Sequence, residues 1–165
     1  PVAGEPLLAH QLRWLAAAGI RDVVINLHHL GAAIEAAFGD GSAHGVRIRY
    51  SRERELLETG GGIVQALPLL GTAPFLILNG DIYTDFPLTL LPAALAPDAD
   101  AHLLLAPTPG YREAGDFEFD GRRVTRRGAG YVYCGISVLR PGLFAGRRAE
   151  PFSLRDVLFE AVAQG

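Results

Sequence analysis

The stretch FLILNGD at residues 75–81 indicates the fold of this chain of 165 residues. Its four apolar residues predict a buried strand, which ends by presenting the carboxylate of Asp81. In open α/β sheets, ligands bind just beyond the carboxyl ends of the strands. A carboxylate there, beside a glycine that allows close approach, suits a hard cation such as Mg²⁺. The structural alternative is an aspartate in an ordinary turn.

A second stretch, ETGGG at residues 58–62, precedes the strand in the chain. Three successive glycines inside a helix would cost about 1 kcal/mol each, so they favour a loop that leads into a helix. Glycine lets the backbone approach a flat or bulky ligand, and a helix N-terminus favours an anion. A flexible loop that binds nothing is the alternative interpretation.

The composition excludes several classes of protein. Hydrophobic residues make up 49 % of the chain and charged residues 20 %, which is ordinary for a soluble globular protein. The net charge of −3 does not favour nucleic acid or an anionic membrane as a partner, and the apolar runs are too short to span a bilayer. The single cysteine, Cys134, fits a reducing, cytoplasmic compartment. Because every cation is an arginine, this chain contains neither a Walker A loop nor a catalytic lysine.

Hydrophobic periodicity divides most of the chain into alternating helices and strands. Helices are predicted at residues 5–18, 30–38, 60–67 and 88–95, and strands at residues 22–27, 46–50, 75–78 and 102–106. That alternation predicts an α/β fold with a mainly parallel sheet and helices on both faces.

The character of the sequence changes after Asp116. Residues 117–119 and Val124 flank an Asp-Gly pair, which predicts a small antiparallel hairpin region. Residues 131–139 are β-branched and aromatic, as in a strand, and Ser153 is a candidate cap for a last helix. The absence of a linker or a repeat favours a single domain over residues 1–165.

Five motifs resemble the sugar-1-phosphate nucleotidylyltransferase family. They are PVAGEPL (1–7), AGI (18–20), ETGGGI (58–63), NGD (79–81) and GIS (135–137), and they run along essentially the whole chain. The resemblance implies a Rossmann-like fold and an enzyme that joins a nucleoside triphosphate to a sugar 1-phosphate, releasing pyrophosphate. Its cofactor would be Mg²⁺.

The resemblance also implies roles for particular residues. Asp81 would be the catalytic, Mg²⁺-holding carboxylate, and Asn79 would contact the nucleotide or the sugar. Asp116 matches a position that binds the sugar in close relatives, and Gly135 would let the sugar lie against the backbone. Entry into the hairpin and strand packing are the alternative roles of these last two residues.

The glycine-rich stretch would form the nucleotide pocket. By the same resemblance, Thr59, Gly60 and Gly61 would line the base and ribose, with Glu58 close by. The expected reaction is uridylyl transfer from UTP to N-acetylmuramate 1-phosphate or a similar hexosamine 1-phosphate, in cell-wall recycling. Guanylyl transfer to mannose 1-phosphate and thymidylyl transfer to glucose 1-phosphate remain open.

The sequence departs from the family pattern at both ends. The family opens with a strand and a Gly-rich loop whose arginine grips the triphosphate, and a lysine stands shortly before the proline that matches Pro1. A second metal-binding aspartate lies in a later strand, beyond Gly165. We therefore expect a domain truncated at both ends and inactive alone, with a non-catalytic nucleotide-sugar sensor or an inactive fragment as alternatives.

The missing first strand has a physical consequence. In this fold it lies centrally in the sheet, between the strands around Ile25 and Ile77. Its absence would leave two apolar strand edges unpaired, which favours aggregation or strand exchange. The oligomeric state of the intact protein does not follow from the sequence.

Overall fold

Two separate sheets form the framework of the computed structural model, which describes residues 1–164. In the smaller sheet, strand β1 (Asp22–Leu27) pairs in parallel with β2 (Arg47–Arg52). Helices α1 (Leu7–Ala17) and α2 (Gly31–Phe38) pack on one face of this pair, where their apolar residues join those of both strands in one buried cluster. The parallel pair and its covering helices are a typical α/β arrangement.

The larger sheet is built around its last strand, β7 (Tyr131–Leu139). Strand β4 (Ala101–Pro107) lies along one edge of β7, and β3 (Phe75–Leu78) and β5 (Phe117–Phe119) share the other. Strand β6 (Val124–Arg127) completes a hairpin with β5. All of these pairs are antiparallel, so β3 and β4 run in the same direction on either side of β7.

Helices α3 (Glu58–Leu70) and α4 (Leu154–Gln164) pack against the larger sheet. Their shared core consists of Ile63, Phe75, Phe117, Leu139, Phe144, Leu154, Val157 and Leu158. Helix α3 also reaches the smaller sheet, where the Gln65 amide donates to the Arg52 carbonyl oxygen at 2.8 Å. No helix within residues 1–164 is both long and apolar enough to cross a membrane.

The predicted α/β class is confirmed, although the strand pairing differs from a mainly parallel sheet. Among the strands of residues 1–164, only β1 and β2 pair in parallel, because β7 inserts between β3 and β4 in the opposite direction. The predicted helix at residues 88–95 is wrong, since only a single 3₁₀ turn forms at Leu88–Leu90. Leu91 is extended because it precedes Pro92, and a residue before proline avoids the helical region.

The predicted hairpin and helix cap are confirmed. The Asp120 carboxylate accepts hydrogen bonds from the backbone N–H groups of Arg122 at 2.8 Å and Arg123 at 2.7 Å, which closes the turn. The Ser153 hydroxyl accepts from the Arg155 N–H at 3.2 Å, at the start of α4.

A groove separates the two sheets. Within residues 1–164, β1 pairs only with β2 and β3 only with β7, so each strand keeps one edge without a strand partner. A cavity of about 880 Å³ lies between these edges, and its walls include α1 and α3. The apolar wall residues on the two helices are Leu8, Leu12, Leu15, Ile63, Ala66 and Leu70. A further strand in this groove would pair with both edges and bury its side chains against both helices.

We predict that residues 1–165, expressed alone, self-associate through these edges, because unpaired backbone groups beside apolar walls favour intermolecular strand pairing. Light scattering after size exclusion should show a mass above 17.6 kDa that rises with protein concentration. A monomer with one sharp, cooperative melting transition would contradict this prediction.

Tyr133 stabilises the larger sheet in a pH-dependent way. Its hydroxyl lies 2.8 Å from the buried Ser137 hydroxyl, and burial raises the pKa of Tyr133 from 10.0 to about 12. The folded protein therefore retains a proton that the unfolded chain loses above pH 10.

Stability should consequently fall as pH rises between 10 and 12, by a free energy of unfolding on the order of 2 kcal/mol. Tyr133→Phe should lose the Ser137 hydrogen bond, so it should be less stable at neutral pH but show a shallower alkaline decline. Urea unfolding at a series of pH values measures both effects. Parallel declines in the two proteins would refute this assignment.

Candidate active site

The turn after β3 brings Asp81 to one end of the groove. The Asn79 N–H donates to the Gly135 carbonyl oxygen at 3.0 Å, and the Ile82 N–H donates to the Asn79 carbonyl oxygen at 3.2 Å. The second bond closes a four-residue turn, Asn79–Ile82, with the exposed Asp81 at its third position, and the first joins the start of this turn to β7. Asn79, Gly80 and Asp81 all line the cavity, as expected for residues that follow the carboxyl end of a strand.

A bulge in β7 lies against this turn. The register between β4 and β7 shifts between Leu103 and Leu105, and Gly135 adopts a φ of +74° at that place. A Cβ atom on Gly135 would stand 2.8 Å from the Asn79 side-chain nitrogen and 3.1 Å from Ile82 Cδ1. The structure therefore brings Gly135 and Asn79 together, and their contact with a substrate stays a prediction.

The start of α3 forms the opposite side of the cavity. Glu58 and Thr59 are exposed and line the cavity, and Glu58 has a φ of +56°, which is unusual for a residue with a side chain. Glu53 helps to hold this conformation, since its carboxylate accepts from the Leu57 N–H at 3.1 Å. Backbone strain of this kind often marks functional sites.

The three glycines that follow are buried in the first turns of α3. A Cβ atom would lie 2.3 Å from the Phe152 ring at Gly60 and 2.0 Å from the Glu150 carbonyl oxygen at Gly61. The Gly60 N–H also donates to the Phe152 carbonyl oxygen at 3.0 Å. Both glycines thus pack against the segment before α4, and neither is among the residues that line the cavity. Their contact with a nucleotide stays a prediction.

Gly61→Ala should destabilise the fold by about 1–2 kcal/mol, because the clash with a backbone oxygen outweighs the better helix propensity of alanine. Gly142→Ala is the matched control, since its Cβ atom would meet no atom within 4 Å. Urea denaturation of both variants measures the difference. Equal stability of the two would show that the segment at Glu150 moves aside freely.

Asp116 lies in the core rather than on the cavity wall. Its side chain is 7 % exposed, and its carboxylate accepts from the Tyr133 N–H at 2.9 Å. The Arg155 guanidinium of α4 donates to the other carboxylate oxygen at 3.3 Å. This arrangement fixes the entry to the hairpin, and a contact between Asp116 and the sugar stays a prediction.

Sequence reasoning missed two polar residues at the same end of the groove, Asn26 and Glu53. Asn26 is the penultimate residue of β1, much as Asn79 follows β3, so the rule about carboxyl ends of strands could have found it. His28, which also lines the cavity, is interpreted from the sequence as a structural residue because neighbouring histidines on a strand point to opposite faces. The Asn26 amide and the Glu53 carboxylate occupy the space where Gly62 lacks a side chain, at 2.5 Å and 2.6 Å from an ideal Cβ position. Gly62 therefore leaves room for this polar pair.

The charges along the cavity wall favour a cation. The lining residues include the carboxylates of Asp22, Glu53, Glu58 and Asp81 and the guanidinium of Arg49. Asp22 stands at the start of β1 and is ion-paired with Arg47 at 2.7 Å, so Glu53, Glu58 and Asp81 supply the negative charge near the carboxyl ends of the strands. An anionic ligand entering such a site requires a compensating positive charge.

No group of three or more His, Cys, Asp or Glu side chains within residues 1–164 is placed to hold a metal ion. At the end of β3, Asp81 offers one exposed carboxylate to the cavity. That donor set fits Mg²⁺, which commonly keeps several waters and binds through one or two carboxylates together with substrate phosphates.

The fold and this site define a nucleotide-handling α/β enzyme. The family model for nucleotidyl transferases matches residues 1–117, and the chain belongs to this family. It is 44 % identical over 156 residues to the N-acetylmuramate alpha-1-phosphate uridylyltransferase of Neisseria meningitidis serogroup B, covering 90 % of this chain and 68 % of that protein. It is 34 % identical to the enzyme of the same name from Caulobacter vibrioides, covering 99 % of this chain and 74 % of that protein.

Solved structures support the fold. The chain resembles HddC from Yersinia pseudotuberculosis complexed with GMP-PN, with a TM-score of 0.73, 19 % identity, and coverage of 94 % of this chain and 72 % of that one. It also resembles a UDP-glucose pyrophosphorylase complexed with UDP-glucose, with a TM-score of 0.76, 14 % identity, and coverage of 100 % and 78 %. The predicted membership in the sugar-1-phosphate nucleotidylyltransferases is confirmed. Enzymes of this family bind a nucleoside triphosphate and a sugar 1-phosphate and generally use a divalent metal.

Proposed function

We propose that the protein containing this chain transfers a uridylyl group from UTP to N-acetylmuramate 1-phosphate. The observation that carries the proposal is the 44 % identity to a uridylyltransferase of that specificity over 90 % of the chain. The aligned part is long enough to include both sides of the cavity. A cytoplasmic location and a role in cell-wall recycling follow from this substrate and belong to the same proposal.

The reaction requires positioning more than covalent chemistry. An oxygen of the sugar phosphate attacks the α-phosphorus of UTP, and the bond to the bridging oxygen breaks as pyrophosphate leaves. Because no covalent bond to the enzyme forms, the protein contributes by in-line alignment and charge neutralisation. Mg²⁺, when bound, supplies positive charge to the phosphate oxygens.

The two sides of the cavity divide these tasks. Asp81 holds Mg²⁺ at the end of β3, and the adjacent Asn79 contacts the nucleotide or the sugar. Glu58 and Thr59 lie across the groove, at the base and ribose. The carboxylates of Glu53, Glu58 and Asp81 support this assignment, because a metal ion would offset their charge beside a bound triphosphate.

The remaining predicted residues act from behind the cavity wall. Gly60 and Gly61 keep α3 close to the segment before α4, so that the first turn of α3 faces the nucleotide. Gly135 permits the bulge in β7 against which Asn79 lies, and Asp116 holds the neighbouring hairpin, where the sugar binds.

The test of this function uses the protein expressed from its complete natural coding sequence. Pyrophosphate release should be measured with UTP, GTP and dTTP, each combined with N-acetylmuramate 1-phosphate, mannose 1-phosphate and glucose 1-phosphate. We expect the highest kcat/KM for UTP with N-acetylmuramate 1-phosphate. Strict use of GTP would refute the uridylyl assignment, and tight binding of UDP-sugar without pyrophosphate release would favour a sensor.

Asp81→Asn should lower kcat about 100-fold or more, because the cation loses its only charged protein ligand at the end of β3. Asp85→Asn is the matched control: it removes a carboxylate from the same exposed segment but not from the cavity wall. The control should retain wild-type activity. Comparable losses of kcat in both variants would contradict the assignment of Asp81 as a metal ligand.

A further inference from the structure

We propose that Gln11 is a positioning residue for the reaction, because it fixes the turn that carries Asp81. Its side-chain amide donates to the Asn79 carbonyl oxygen at 3.0 Å and to the Ile82 carbonyl oxygen at 2.8 Å. Both hydrogens of one amide group are therefore used on the two ends of a single turn. The proposal rests on the function proposed above, in which Asp81 holds the metal.

The two acceptors lie on either side of Gly80 and Asp81. The Ile82 N–H already donates to the Asn79 carbonyl oxygen within the turn, and the Asn79 N–H donates to the Gly135 carbonyl oxygen. Gln11 approaches from α1, whereas Gly135 belongs to the bulge in β7. The backbone of the turn is thus held by hydrogen bonds at both ends. The Asp81 side chain takes no part in these bonds and lines the cavity.

Gln11 is itself firmly placed. It is only 5 % exposed, although glutamine is usually a surface residue. Its neighbours Leu12 and Leu15 are 0 % and 7 % exposed, so the helix has little freedom to shift. A buried amide donor of this kind is costly unless its hydrogen bonds are made. Removing it takes the Gln11 donor from the Ile82 carbonyl oxygen and leaves the Asn79 carbonyl oxygen with the Ile82 N–H.

Asp81, by contrast, has few restraints of its own. It is exposed, and no side-chain hydrogen bond or ion pair fixes its carboxylate within the described residues. The position of its Cα atom therefore depends on the backbone of the turn. Partners that orient a metal ligand in this way typically change metal affinity or activity by about 10- to 100-fold when they are removed.

Gln11→Met is the most informative variant, because methionine keeps the length and the unbranched shape but removes the donor. Gln11→Glu goes further by directing a carboxylate at two carbonyl oxygens. Gln65→Met is the matched control: Gln65 also uses one amide to join a helix to a strand, donating to the Arg52 carbonyl oxygen and, at 3.3 Å, to the Ser51 hydroxyl. It does not contact the Asn79–Ile82 turn.

Two measurements on the complete protein test the proposal without relying on turnover. In metal-free protein, the Ile82 amide of Gln11→Met should exchange with solvent about tenfold faster than in wild type. In the presence of UTP, the Mn²⁺ concentration at half-saturation, followed by electron paramagnetic resonance, should rise about tenfold. Gln65→Met should leave both quantities within about twofold of wild type, and kcat should fall only in the Gln11 variants.

Unchanged Ile82 exchange and Mn²⁺ half-saturation in folded Gln11→Met would overturn the proposal. So would equal changes in Gln11→Met and Gln65→Met, since these would indicate general loosening of the fold. A wild-type protein that releases no pyrophosphate with any substrate pair would instead overturn the proposed function. The two failures are therefore distinguishable.

Discussion

Every part of the larger sheet depends on the backbone hydrogen bonds of β7. This strand pairs with β4 along one edge and with β3 and β5 along the other, and it lies over α3 and α4. Its bulge at Gly135 interrupts the ladder at the level where β3 ends. The same irregularity that weakens the pairing gives Asn79 a carbonyl partner, and so fixes where the Asn79–Ile82 turn begins.

The site itself is assembled from two halves that share no backbone ladder. Asn26, Glu53 and the start of α3 belong to the side of the smaller sheet, whereas Asn79 and Asp81 belong to the larger sheet. Helices α1 and α3 hold the halves together through side chains. The Gln11 amide joins α1 to the Asn79–Ile82 turn by two hydrogen bonds. The helix that packs on β1 therefore also holds the backbone that follows β3.

Local sequence patterns were sufficient for most of the helices and strands and for the place of the turn that carries Asp81. The stretch at residues 75–81 was correctly predicted as a strand that ends at the cavity, because its apolar run and its terminal Asn-Gly-Asp are local features. The antiparallel direction of β7 could not be predicted, since pairing between Leu78 and Ile136 depends on distant segments. The helix predicted at residues 88–95 was wrong because the effect of Pro92 on Leu91 was overlooked. The packing of Gly60 and Gly61 against Phe152 and Glu150 is likewise non-local, and no pattern within residues 58–62 reveals it.

The order of the strands along the chain has a consequence for synthesis. The ribosome completes β3 and β4 before Tyr131–Leu139 emerges, and within residues 1–164 neither strand pairs with another strand of the larger sheet. During that interval their apolar residues and open edges are exposed in the nascent chain, which is the kind of surface that chaperones recognise. Translation of Tyr131–Leu139 is therefore the step at which the larger sheet becomes able to form.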